Sequence, residues 1–162
     1  MADEDGAPKG SARATGPQAA EDDALQNALA AAHAAVWGYG VVGAALPAGD
    51  RKPVDAARAA HRDVRDQVTA LLDSRRVHPV PTEAAYALPF PVVSAVDAAA
   101  LAVSLEDGAA AAWTWVLDQA ADPGIRELAV GVLTGTELRA VAWRKAAGRS
   151  PVTRAFPGLP AT

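Results

Sequence analysis

No cysteine occurs in the 162 residues. Disulfides, thiolate metal ligands and a thiol nucleophile are therefore excluded. Aromatic residues are scarce, with two Phe, two Tyr and four Trp, so large side chains can fill a core at only a few places. Long alternating polar–apolar runs, the signature of half-buried strands, are missing. Glu-x-x-His, the ligand pair that di-iron bundles carry on two helices, occurs nowhere in the chain. Neither Gly-x-Ser-x-Gly nor a Gly-rich phosphate loop is present, so nucleophile-elbow and P-loop chemistries have no support. Charge of one sign is also lacking. A net charge of −4 provides no global reason to bind nucleic acid or an anionic membrane.

What the chain does have is alanine, about a quarter of all positions, within a hydrophobic fraction of 51%. Alanine is the strongest helix former and adds little bulk, so helices rich in it approach closely. The expected fold class is all-α. Residues 1–20 carry Asp3, Glu4 and Asp5 with no apolar core. They read as a disordered tail rather than a signal peptide or a membrane span. The default location is cytoplasmic.

A first helix is expected from Glu21-Asp22-Asp23, acids suited to the positive end of a helix dipole. Its seam runs through Leu25, Leu29, Ala32, Val36, Tyr39, Gly43 and Leu46, with Pro47, Gly49 and Asp50 as the stop. Pro53 suits the first turn of a second helix, whose seam reads Val54, Ala57, His61, Val64, Val68 and Leu71. From about Arg76 to Val96 four prolines rule out a continuous helix. Tyr86-Ala87-Leu88-Pro89-Phe90-Pro91-Val92 is too apolar for a free linker, so this stretch reads as a strap along the bundle. A strap of full length places helix 3 parallel to helix 2. Ser94 or Asp97 can cap helix 3, Asp122-Pro123-Gly124 ends it, and helix 4 runs to Gly148. The short–long–short rhythm of connections is that of a four-helix bundle with one crossover, as in ferritin-like folds. Residues 21–148 form this bundle in our reading. Residues 149–162, which include Phe156 and Leu159, form a tail docked on it.

Several segments resemble an uncharacterised bacterial family of ferritin-like domains. They are Ala31-Ala32-His33-Ala34-Ala35-Val36-Trp37-Gly38-Tyr39-Gly40, Ala60-His61-Arg62, Tyr86-Ala87-Leu88-Pro89-Phe90-Pro91, Leu105-Glu106-Asp107-Gly108 and Ala155-Phe156-Pro157-Gly158-Leu159-Pro160. The resemblance implies a ferritin-like four-helix bundle and carries no established activity. Members of that family often have Glu immediately before the helix 1 histidine, where this chain has Ala32.

His61 falls on the apolar seam of helix 2, and His33 and Glu106 lie at the seam edges of helices 1 and 3. Two imidazoles and a carboxylate from three helices could ligate one divalent ion such as Fe, Mn or Zn. The alternative is a buried hydrogen-bonded network with Tyr39 that satisfies its own polar groups. A dinuclear centre fails on ligand count: Arg58 stands three residues before His61, and Val130 and Ala140 stand three after Glu127 and Glu137. His78 is expected in solvent. The Arg-rich run on helix 2 reads as a mixed-charge solvated face with an Arg62–Asp66 pair. Arg139, Arg144 and Lys145 suit the negative end of helix 4. Trp113 and Trp115 point to different faces, so one is available for a homodimer interface. The expected function is a non-enzymatic binding or interaction module without a cofactor, whose partner is a protein or a small apolar ligand. The alternative is a metal-dependent oxidoreductase, or its remnant, using His33, His61 and Glu106.

Overall fold

The computed structural model describes residues 16–159. It contains four long helices, α1 (Pro17–Ala45), α2 (Lys52–Ser74), α3 (Ala95–Gln119) and α4 (Pro123–Ala146), and no strand among the described residues. Most of the expected disordered tail lies outside the described residues. Residues 17–20, also assigned to it, are instead helical. Pro17 stands at the helix start, where its missing N–H is one of the orphans anyway. Glu21, Asp22 and Asp23 consequently sit beyond the first turn and do not serve the helix dipole.

The other boundaries follow local chemistry. Pro47 and a 3-10 turn at Ala48–Asp50 separate α1 from α2. Both proposed caps act on α3: the Ser94 hydroxyl oxygen accepts from Asp97 N at 3.1 Å, while Asp97 Oδ2 accepts from the Ser94 hydroxyl and from Val93 N. This reciprocal box satisfies donors that the helix start leaves orphaned. The Ser94 hydrogen bond holds the Asp97 carboxyl below its ordinary range. Asp122 caps α4 by accepting from Gly124 N.

Two buried clusters fix the helix directions. One joins Leu25 and Leu29 to Val68, Leu72, Trp113, Val116 and Ile125. The other joins Tyr39 and Val42 to Val54, Ala98, Leu101 and Trp143. The start of α1 therefore meets the ends of α2 and α3 and the start of α4. It follows that α3 runs parallel to α2, and α4 parallel to α1. The strap between α2 and α3 spans the bundle along α1. Gln26 Nε2 donates to His78 O at 2.6 Å and its Oε1 accepts from Val80 N at 2.7 Å. Further along, the rings of Trp37 and Tyr86 pack 5.8 Å apart, and Phe90 and Val92 pack against the second cluster.

Packing is unequal around the bundle. α1 packs on α2 and α3, and α3 packs on α4, whereas α2 and α4 scarcely touch. This explains where the seams hold. Helix α1 buries a wide face, Ala24, Leu25, Ala28, Leu29, Ala32, Ala35, Gly38, Tyr39 and Val42, because it serves two helices. On α2, Val64 and Leu71 stay half-buried for want of a close neighbour. Helix α1 has the length and mean hydropathy, 1.3 over its most apolar window, of a membrane span. Its largest aliphatic side chains near the start, Leu25 and Leu29, are fully buried against the other helices, whereas Val36, Trp37 and Val41 are half-buried.

Candidate functional site

One side chain from each helix meets at the bundle centre: Tyr39 from α1, His61 from α2, Glu106 from α3 and Arg139 from α4. Glu106 is fully buried and His61 is 2% exposed. Glu106 Oε1 accepts from the Tyr39 hydroxyl at 2.5 Å, from His61 Nε2 at 3.1 Å and from Arg139 Nε at 2.9 Å. An ionised carboxylate only accepts, so His61 carries its hydrogen on Nε2. Arg139 Nη2 donates to the buried Thr136 hydroxyl at 3.2 Å. Its Nη1 lies over Gly135, where a Cβ would stand 3.3 Å away. The Tyr39 ring stacks on His61 and tilts against Trp143. Glu106 Oε2 is buried with no hydrogen-bond partner.

The electrostatics follow from this arrangement. Burial pushes the Glu106 carboxyl up, but the hydrogen bond and charge of His61, then those of Arg139, outweigh it and hold the group below its ordinary range. Burial and the adjacent Glu106 carboxylate drive the Tyr39 hydroxyl far above its ordinary value of 10. Glu106 stays ionised and Tyr39 stays protonated, both far from the neutral range that proton transfer favours.

Of the three candidate ligands, the structure brings His61 and Glu106 together and leaves His33 apart. His33 Nε2 lies 3.2 Å from Val80 O, so its observed contact is with the strap. Among the described residues, no group of three or more His, Cys, Asp or Glu side chains is placed to hold a metal ion. The donors at the centre are few for a divalent ion, and a guanidinium already occupies the carboxylate's neighbourhood. The residues present therefore do not fit a ferritin-type centre.

Arg139 is what the sequence reading missed. It reads there as a cation for the helix terminus, but it lies almost two turns before the end of α4, close enough to the seam to turn inward. Arg144 does stand in the last turn of α4 with Lys145, as expected, but its side chain turns inward. Only 3% exposed, it donates to Asp107 Oδ1 at 2.6 Å, Glu137 Oε2 at 3.3 Å and Val152 O at 3.1 Å. Arg154 donates to the other oxygen of Asp107 at 2.7 Å. These bonds hold residues 152–154 against α3 and α4. Nearby, Thr114 donates to Pro157 O, and Gly158 lies against the Ala110 backbone with φ +76°. Phe156 and Leu159 remain exposed, so tail docking runs through arginines and backbone rather than these apolar side chains.

A third polar cluster closes the other end of the bundle. Buried Glu21 Oε2 accepts from Ala121 N and Asp122 N at 2.7 and 2.9 Å, and Oε1 pairs with Arg75 at 2.6 Å. Arg75 also bonds Asp22 at 2.7 Å. Burial raises the Glu21 carboxyl, but the Asp122 and Arg75 bonds prevail and lower it. On the outer face of α2 the ion pair is Arg65–Asp66, in place of the expected Arg62–Asp66, and Arg58 Nε donates to Val36 O. His78 is exposed.

Residues 24–161 match a family model described as a domain of unknown function (DUF4439). A crystal structure of a conserved hypothetical protein, rv2844, from Mycobacterium tuberculosis is 39% identical, with a TM-score of 0.79. The alignment covers 88% of this chain and 100% of that one. No curated protein matches.

Proposed function

We propose that this chain, which belongs to the DUF4439 family, is a non-enzymatic binding module built on a ferritin-like four-helix frame. The single crossover and the parallel direction of α2 and α3 support the ferritin-like assignment. The observation that carries the functional reading is the Arg139 guanidinium 2.9 Å from Glu106 Oε1. It supplies, from the protein itself, the positive charge that a metal would supply in an active bundle. Buried carboxylates need such a partner, and here the partner is covalently part of α4. With Glu106 held ionised and Tyr39 held protonated, the centre has the character of a packing element. Binding then falls to the surface grooves that the strap, the tail and the loose α2–α4 side leave open.

The unpartnered Glu106 Oε2 favours one second reading, a reduced mononuclear site in which Oε2 and His61 Nε2, its hydrogen moved to Nδ1, hold Fe, Mn or Zn. Metal analysis of protein purified without chelator separates the two. The binding-module reading expects metal well below one ion per chain and the same content in His61→Ala. Stoichiometric metal that disappears in His61→Ala would overturn it.

A further inference from the structure

The C-terminal tail and the outer faces of α3 and α4 enclose a groove of about 470 Å³. That volume lies within the range that holds a small organic ligand. Its apolar walls come from Leu117 on α3, Leu133 on α4, and Phe156, Pro157 and Leu159 on the tail. Phe156 is 69% exposed and Leu159 49% exposed, although the tail carrying them is pinned at Val152, Arg154 and Pro157. Apolar side chains held open beside an apolar groove are the usual setting of a ligand site.

The polar groups at this groove determine what fits. Thr114 spends its hydroxyl proton on Pro157 O, and Thr134 spends its own on Val130 O at 2.8 Å. Glu137 is an acceptor only. Its Oε2 takes a 3.3 Å bond from Arg144, while its Oε1 is buried and has no partner. Arg144 is shared with Asp107 and Val152 O, so Glu137 is the less well compensated of the two carboxylates. The side chains at the groove therefore offer acceptors and no spare donor. The charge of the Glu137 carboxylate disfavours a carboxylate or phosphate ligand beside it.

We propose that this groove, which Glu137 lines, binds a small apolar molecule carrying a protonated amine, with a rotation of the Glu137 carboxylate presenting Oε1 to the ammonium and the apolar body lying between Leu117, Leu133 and Phe156. The proposal deepens the binding-module reading and rests on it. A buried carboxylate oxygen without a donor is costly to the free protein, and an ammonium removes that cost. The carboxylate also discriminates against ligands without the positive charge.

Fluorescence titration with dansylcadaverine, an apolar fluorophore on a primary alkylamine, tests this directly. Saturable binding is expected, with dansylamide, which lacks the ammonium, binding at least tenfold more weakly. Glu137→Gln keeps an oxygen for Arg144 and puts an amide donor where the free acceptor stood. It should weaken dansylcadaverine roughly tenfold, the scale of one charge-assisted hydrogen bond, and leave dansylamide unchanged. Phe156→Ala alters only an exposed side chain, keeps the fold, and should weaken both probes. Equal affinities for the two probes, or an unaltered titration in both variants, would overturn the proposal. So would concentration-dependent dimerisation abolished by Phe156→Ala, which would make a second copy the occupant. Absent amine binding in metal-free protein removes only this assignment. Stoichiometric metal lost in His61→Ala removes the binding-module reading whatever the titration gives.

Discussion

Glu106 is the residue on which the interior turns, because three helices send it a donor. The linkage between its ionisation and stability has a definite sign. Its folded-state carboxyl lies below the ordinary value of 4.5, so its contribution is fully present above that value and is lost as pH falls through the lower folded value. Glu106→Gln keeps the shape and removes the charge, leaving Arg139 without its ion partner. The variant should be destabilised by about 3 kcal/mol near neutral pH. The difference from wild type should shrink as pH falls below 4.5, because protonation brings the wild type to the same neutral state. Melting curves recorded between pH 7 and pH 3 check this, and a difference that stayed constant with pH would refute it. His61 and Glu106 were legible from the sequence as polar residues on or beside apolar seams. Arg139 was not. A long arginine arm reaches the core from a position that shows no interruption of the seam, and a cation late in a helix has a ready dipole explanation. Glu21 and Arg75 stayed hidden for a related reason: they bond backbone and side chains far away in sequence.

At the scale of elements, the chain closes two helices with the same backbone device and different residues. After α4, Gly148 N donates to Lys145 O and Arg149 N to Arg144 O, with Gly148 at φ +66°. After α2, Arg76 N donates to Asp73 O and Val77 N to Leu72 O, with Arg76 at φ +58°. Both are Schellman closures, in which the positive-φ residue is usually glycine. Gly148 was readable as a stop, whereas nothing in Arg75-Arg76 announces one. The end of α2 was legible only through the prolines that follow. A side chain in the left-handed region costs about 1–2 kcal/mol. Glycine avoids that cost but releases more entropy on unfolding, which returns roughly 0.5–1 kcal/mol. Arg76→Gly should therefore raise stability by about 0.5–1 kcal/mol. Urea denaturation of both proteins measures it, and a fall in the midpoint would show that the Arg76 side chain has a stabilising role of its own.

For the whole molecule, the short–long–short rhythm of connections conveyed helix number and direction, because a proline-rich strap of some twenty residues can span the bundle and a short turn cannot. It did not convey which pairs pack closely. Heptad seams record that a face is buried, not by which helix, so the loose α2–α4 side became visible only in three dimensions. That side has a groove of about 280 Å³ lined by Val64, Leu128, Gly131, Val132, Gly135 and Arg139. The asymmetry should appear in the opening energetics. α1 and α3 each have two close helical neighbours, whereas α2 relies on α1, the His61–Glu106 bond and the Arg75 ion pairs. Elements with fewer buried contacts open in cheaper, sub-global events. Native-state hydrogen exchange should therefore rank the mid-helix amides of α1 and α3 slowest, close to global unfolding, with α2 exchanging through a smaller opening. Glu106→Gln, which weakens the tie to His61, should speed exchange in α2 more than in α1. If α2 amides exchanged as slowly as those of α1, and the variant slowed or sped all helices alike, the bundle would open as one unit. The loose side would then be a feature of shape without a counterpart in stability.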